Sequence, residues 1–159
     1  MQQELSSSAQ KVQNALAEMG YDYRVQELPQ STRTALEAAQ AIGCQVEQIV
    51  KSLIFRTKQT GRAVLVVASG SNRVNEKNLA ARLGEPIERA TPDFVRQQTG
   101  YAIGGVPPLG HTNSLLTFVD EDLLQYSQIW AAAGTPFAVF GLEPAELVKM
   151  SGGEVTGIK

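Results

Sequence analysis

A chain of 159 residues, 43% of them hydrophobic and with a formal net charge of −2, has room for one domain spanning 1–159 and a real core. One cysteine and one histidine exclude an intramolecular disulfide and argue against a structural zinc site, so no metal or cofactor is expected. No run reaches the ~18 apolar residues of a membrane span, and MQQELSSSAQ lacks the basic and apolar regions of a secretory leader, so the cytoplasm is the expected location and no membrane is expected as a partner.

Ser6, Ser7 and Ser8 offer N-caps for a helix to about Met19, with Val12, Ala15, Leu16 and Met19 at helical spacing and Gly20 ending it. Tyr21 to Leu28 alternates as a strand, stopped by Pro29. Ser31 or Thr32 then caps a second helix to about Ile42, closed by Gly43, and Gln45 to Ile49 has room for one helical turn. Val50 to Arg56 reads as a strand, Gln59-Thr60-Gly61 as a turn, and Ala63 to Ala68 as a buried strand. Asn75 caps a helix through Leu83, Gly84 ends it, and Ile87 to Ala90 is a short strand. Thr91 caps the next helix with Pro92 in its first position, and Gly100 stops it. Ser114 to Val119 is a strand, Asp120 caps a short helix, and Ile129–Ala133 with Phe137–Phe140 forms a hairpin around Gly134-Thr135-Pro136. Pro144 to Met150 is a last helix, and the tail from Ser151 is expected to be loosely held. Several strand links are too short for parallel crossovers, so the pattern predicts an α+β fold with a mixed, mainly antiparallel sheet surrounded by helices.

Between the fourth helix and the Ser114 strand lies Gly100 to His111, GYAIGGVPPLGH. Gly104-Gly105 lets another molecule approach the main chain, while Pro107 and Pro108 stiffen it. The stretch is either a tight, rigid turn or a loop whose N–H groups face a developing negative charge, as in an oxyanion hole. His111 is read as a loop hydrogen-bonding residue or a proton carrier. Lys51, just before the apolar run Leu53-Ile54-Phe55, either reaches solvent or, if partly buried, holds an anion. Cys44 follows a helix end and reads as packing. There is no Walker-type loop and no paired-carboxylate signature.

Charge is unevenly spread. Residues 51–96 hold nine basic and four acidic groups, against three and six in residues 1–50 and two and six in residues 97–159. The middle third is either a polyanion-facing surface, with Arg56, Lys58, Arg73 and Lys77 as candidates, or a solvated mixed one.

The order of these features resembles the YbaK/EbsC-type aminoacyl-tRNA deacylase family, related to the editing domain of bacterial prolyl-tRNA synthetases. The matching residues are Glu37-Ala38-Ala39 with Ile42-Gly43, Val50-Lys51-Ser52-Leu53, Val64 to Ala68, Asn75 to Leu83, Thr99-Gly100-Tyr101, Gly104-Gly105-Val106-Pro107-Pro108 with Leu109-Gly110, and Gly134. They span nearly the whole chain. The resemblance implies a partly barrel-like sheet and an enzyme that hydrolyses the ester of a mischarged tRNA, expected to be tRNA(Pro) carrying a small wrong amino acid. It implies that Lys51 lines the pocket for the aminoacylated end and that the loop Gly104 to Pro108 supplies backbone groups to it, with Gly104 and Gly105 nearest the chemistry; Pro108 and His111 beside them, and Arg56, Lys58, Arg73 and Lys77 from the basic middle third, are then the expected substrate-binding residues. Mischarged tRNA is then the partner, with prolyl-tRNA synthetase a second one. Where cysteine-removing members often carry a small hydroxyl residue, this chain reads Ala131-Ala132-Ala133, so the cysteine-specific subtype is not implied. The alternative is a module of the same fold that binds a tRNA end or a small ligand without hydrolysing anything.

Overall fold

Five α-helices and eight strands order the chain in the computed structural model, which describes residues 4–159; the first three residues of the segment read as lacking a leader lie outside that range. The helices are α1 (Ser7–Glu18), α2 (Ala35–Ile42), α3 (Glu76–Leu83), α4 (Pro92–Thr99) and α5 (Pro144–Ser151). The strands are β1 (Gln26–Glu27), β2 (Ile49–Thr57), β3 (Ala63–Ser69), β4 (Ile87–Arg89), β5 (Leu116–Asp120), β6 (Ile129–Ala132), β7 (Ala138–Leu142) and β8 (Glu154–Thr156). Short 3₁₀ turns occupy Val46–Gln48 and Glu121–Gln125.

The strands form one sheet in the order β1-β7-β6-β2-β3-β5-β8, with β4 attached to β2. Four pairings are antiparallel and three, β2–β6, β3–β5 and β5–β8, are parallel. The sheet is mixed as expected, and it stays open: β1 and β8 are its two ends. β3 explains its own apolar run. Val64 to Ala68 are fully buried, with Leu65 and Val67 in one core and Val64, Val66 and Ala68 in another, because successive side chains point to opposite faces. Ala9, Val12 and Leu16 of α1, Val95 of α4 and Leu147 of α5 cover the first face; Leu79 of α3 and Ile158 cover the second.

Three expectations are corrected. The segment from Tyr21 pairs only at Gln26–Glu27, opposite Val139 and Ala138. Helix α2 begins after Thr34, whose side chain accepts the Glu37 N–H, and not after Ser31 or Thr32. Thr32 is buried with a tertiary partner instead: its N–H and hydroxyl both donate to the Pro136 carbonyl, at 2.6 and 3.0 Å. The tail is held. β8 pairs in parallel with β5, Ile158 is buried and accepts the Asn75 N–H at 2.7 Å, and Lys159 meets Asp122 at 3.0 Å.

Candidate functional site

The site originates in an interruption of β2. One edge of this strand pairs with β3 from Val50 to Arg56. The other edge is shared: β6 holds Ile49 and Val50, and β4 holds Phe55 to Thr57. Between them Lys51, Ser52 and Leu53 face no strand. A cavity of about 360 Å³ opens there, lined by these three residues, by Val50, Ala131, Ala132 and Val139 of the sheet, by Trp130, by Ile103, Gly104 and Val106 of the loop after α4, and by Thr32–Ala35, Ala38 and Ile42 at α2. A smaller cleft continues past Ser52, Leu53, Ile103, Gly104 and Val106 to Arg89 and Ala90.

Lys51 is half-buried, and its ammonium donates to the Asn72 carbonyl at 2.6 Å. Burial pushes its pKa down, and the Arg89 and Arg73 guanidiniums add to that; Asp120 opposes them. The solvated-lysine reading therefore gives way to a cation held at a cavity wall. The N-terminus of α2 opens onto the same cavity through Thr34 and Ala35, adding a partial positive charge.

The loop is stiff for reasons visible in its bonds. Gly100 takes φ +84° to end α4, and the buried Thr99 hydroxyl accepts the Tyr101 N–H at 3.0 Å. Val106 to Leu109 are buried, so the two prolines pack inward. Gly105 donates to the Ala102 carbonyl at 3.0 Å and accepts from the Gly134 N–H at 2.8 Å. Its own N–H is thus engaged within the loop, and Gly105 does not line the cavity. Gly104 does, with φ +92° and with the Arg33 side chain packed over it. Among the described residues no acceptor pairs with the N–H of Gly104 or Val106.

The remaining expected residues separate. Pro108 and His111 do not line the cavity. His111 Nε2–H donates to the Pro107 carbonyl at 2.6 Å and braces the loop from behind; burial holds its pKa low, partly offset by that bond. Arg73 is exposed and close enough to act on Lys51, while Lys77 sits exposed at the start of α3. Arg56 lies five residues farther along β2, roughly 16 Å at strand rise, in an exposed pair with Glu88 at 3.2 Å. Lys58 is beyond the end of that strand.

Sequence reasoning missed Arg33, Ser52, Arg89 and Trp130. Arg33 stands in the polar run Ser31–Thr34 that reads as a cap, and Arg89 stands in a short strand; neither carries a local signal. The resulting cluster of Arg33, Lys51, Arg73 and Arg89 predicts a graded effect. Arg73→Glu should weaken binding of a polyanionic ligand and reduce the slope of log K against log salt by about 1, whereas Lys58→Glu should leave both near wild type. Titrations at three or more salt concentrations check this, and equal effects from the two variants would contradict it.

The sequence model of the aminoacyl-tRNA editing domain matches residues 29–150. An Enterococcus faecalis protein described as a candidate Cys-tRNA(Pro)/Cys-tRNA(Cys) deacylase, EbsC, is 28% identical over 126 residues, 79% of this chain and 76% of that one. A proline–tRNA ligase of Thermosipho melanesiensis is 34% identical over 105 residues, 65% of this chain but 18% of the much longer ligase. The crystal structure of a candidate trans-editing enzyme for prolyl-tRNA synthetase superposes with a TM-score of 0.92 at 50% identity, covering 98% of this chain and 99% of that one.

Proposed function

Since the chain belongs to the aminoacyl-tRNA editing domain family, we propose that it works as a cytoplasmic trans-editing deacylase, one domain over 1–159, that removes a small wrong amino acid from mischarged tRNA(Pro). The observation that carries this is the cavity at the β2 gap, where an ammonium and a free backbone N–H flank an apolar chamber. Its volume suits an aminoacylated terminus and falls at the lower end of small-molecule sites. Val50, Ile42, Ala131, Ala132, Val139 and Trp130 would receive a small side chain.

Ester hydrolysis needs a placed water and a stabilised oxyanion, not a protein nucleophile. Water attacks the ester carbonyl carbon, the carbonyl oxygen gathers charge, and the acyl–oxygen bond breaks to free the amino acid and the terminal ribose hydroxyl. Lys51 holds a phosphate or carbonyl oxygen of the aminoacyl end and so aims the ester at the loop. The Gly104 N–H, with Val106 behind it, is the donor available to the developing oxyanion. Gly105 serves by holding the loop against Gly134. Arg33, Arg73 and Arg89 meet the phosphates of the tRNA terminus. Discrimination by a synthetase against one methylene is worth only about 1–3 kcal/mol, which is why a second, hydrolytic site is useful.

The test is a panel of tRNA(Pro) charged with alanine, cysteine, serine or proline, incubated with the protein and compared with an enzyme-free blank. Release of alanine or cysteine at least about tenfold faster than proline is expected, from the loss of apolar fit for the larger ring. Binding of every charged tRNA without release of any amino acid would overturn hydrolysis in favour of a tRNA-end binding module.

A further inference from the structure

Behind Lys51 lies a carboxylate that the reaction does not touch. Asp120, at the end of β5, is 1% exposed. Burying a carboxylate is expensive unless it is hydrogen-bonded, and here three donors reach it. Its Oδ2 accepts the Ser69 N–H at 2.9 Å and the Asn72 side-chain amide at 2.8 Å, and its Oδ1 accepts the Asp122 N–H at 2.9 Å. The Asn72 amide also donates to Asp122 at 2.8 Å, and its backbone N–H donates to the Ser69 carbonyl at 2.9 Å. Asn72 is therefore fastened at three points, and its own carbonyl takes the Lys51 ammonium at 2.6 Å. The chain runs from a buried charge, through one side chain and one carbonyl, to the cavity wall.

We propose that Asp120 is a positioning residue for Lys51: it locks Asn72 so that the Asn72 carbonyl takes one ammonium hydrogen and leaves the other two for the substrate. This rests on the reading of Lys51 as the substrate-facing cation. An ammonium is a point charge with three rotatable donors on a flexible stem, so its direction must be imposed from outside. The groups acting on it are Arg89 from β4, Arg73 from the turn after β3 and Asp120 from β5. The two guanidiniums disfavour its charge and the aspartate favours it. Asp120 thus fixes both where the ammonium points and the pH range over which it is charged.

Two variants test this, beside Lys51→Ala as a reference. Asn72→Ala keeps the backbone carbonyl but cuts the tether, leaving the Asp120 bonds to Ser69 and Asp122 in place. Asp120→Asn keeps the shape and removes the charge. For each, kcat, KM, the pH–rate profile above the enzyme-free blank and a melting curve are measured. Asn72→Ala should lower kcat by about 10–100-fold, the size of a misplacement near 1 Å, with KM close to wild type. Asp120→Asn should lower kcat too and move the alkaline limb of the profile to lower pH, because the Lys51 proton is lost earlier without the opposing charge. A folded Asn72→Ala protein with wild-type kcat overturns the proposal, even if Asp120→Asn fails to fold. If Lys51→Ala itself hydrolyses normally, the reading of Lys51 fails first and the positioning role falls with it. An inactive Lys51→Ala beside a normal Asn72→Ala rejects the positioning role alone.

Discussion

Lys51→Ala is expected to lower the deacylation rate by about 10²-fold or more, the loss that follows when the reacting ester is no longer held in place, while the melting temperature stays within a few degrees of wild type. The two readouts separate for a physical reason. The ammonium is half-buried, and burial with the Arg89 and Arg73 guanidiniums lowers its pKa, so the folded surroundings disfavour its charged form. Truncation relieves that cost and leaves one carbonyl, of Asn72, without its donor. The two changes oppose each other in stability and nothing opposes the loss in activity. Lys51→Arg should recover only part of the rate, because a planar guanidinium cannot keep the 2.6 Å bond to Asn72 and point compact donors into the cavity as well. Rates at saturating enzyme and a melting curve for each variant check this; a folded Lys51→Ala protein with the wild-type rate would return Lys51 to an ordinary lysine.

Gly105→Ala should act mainly on the fold. A Cβ at this position would lie 2.7 Å from the Thr135 nitrogen and 2.8 Å from the Gly134 carbonyl carbon and the Thr135 Cα. All three are backbone atoms, so no side chain can swing away. Forced overpacking of this kind costs about 1–3 kcal/mol and sometimes more, which lowers Tm by roughly 2–12 °C in a chain of this size. It would also break the Gly134 N–H bond to the Gly105 carbonyl, the clip between the loop and the β6–β7 turn. Gly104→Ala differs. Its Cβ meets the Arg33 Cγ at 2.9 Å, a side chain that can shift, and its φ of +92° adds about 1–2 kcal/mol of strain. That variant should melt closer to wild type and lose rate, since it displaces Arg33 and disturbs the free N–H at the cavity. From sequence alone the two glycines are equivalent, with both substitutions expected to spare the fold. Melting curves of the two variants distinguish them, and equal Tm values would contradict the packing argument.

Most elements were legible because their signals are local. Asn75 and Thr91 cap α3 and α4 by accepting the N–H three residues on, and Gly43, Gly84 and Gly100 end helices in the left-handed conformation. The run Ala63–Ala68 had to be a strand buried on both faces. β8 was missed because Glu154-Val155-Thr156 has no periodicity of its own; the open edge of β5 makes it a strand.

Of the proposed site, two candidates were legible in the residues alone because their chemistry is intrinsic: a lysine at the start of an apolar strand, and a loop that glycine and proline make both permissive and stiff. The tertiary structure decided everything that depends on who stands beside whom. β6 and β4 leave one edge of β2 without a strand at Lys51–Leu53, and the cavity opens there. Thr32 spends its hydroxyl on Pro136 and passes the cap to Thr34, which brings Arg33 over Gly104. Asn72 and Asp120, 48 positions apart, meet behind an ammonium at position 51. Local propensity is a property of a few neighbouring residues, whereas a hydrogen bond or a buried charge takes its energy from atoms that only the folded sheet brings within 3 Å.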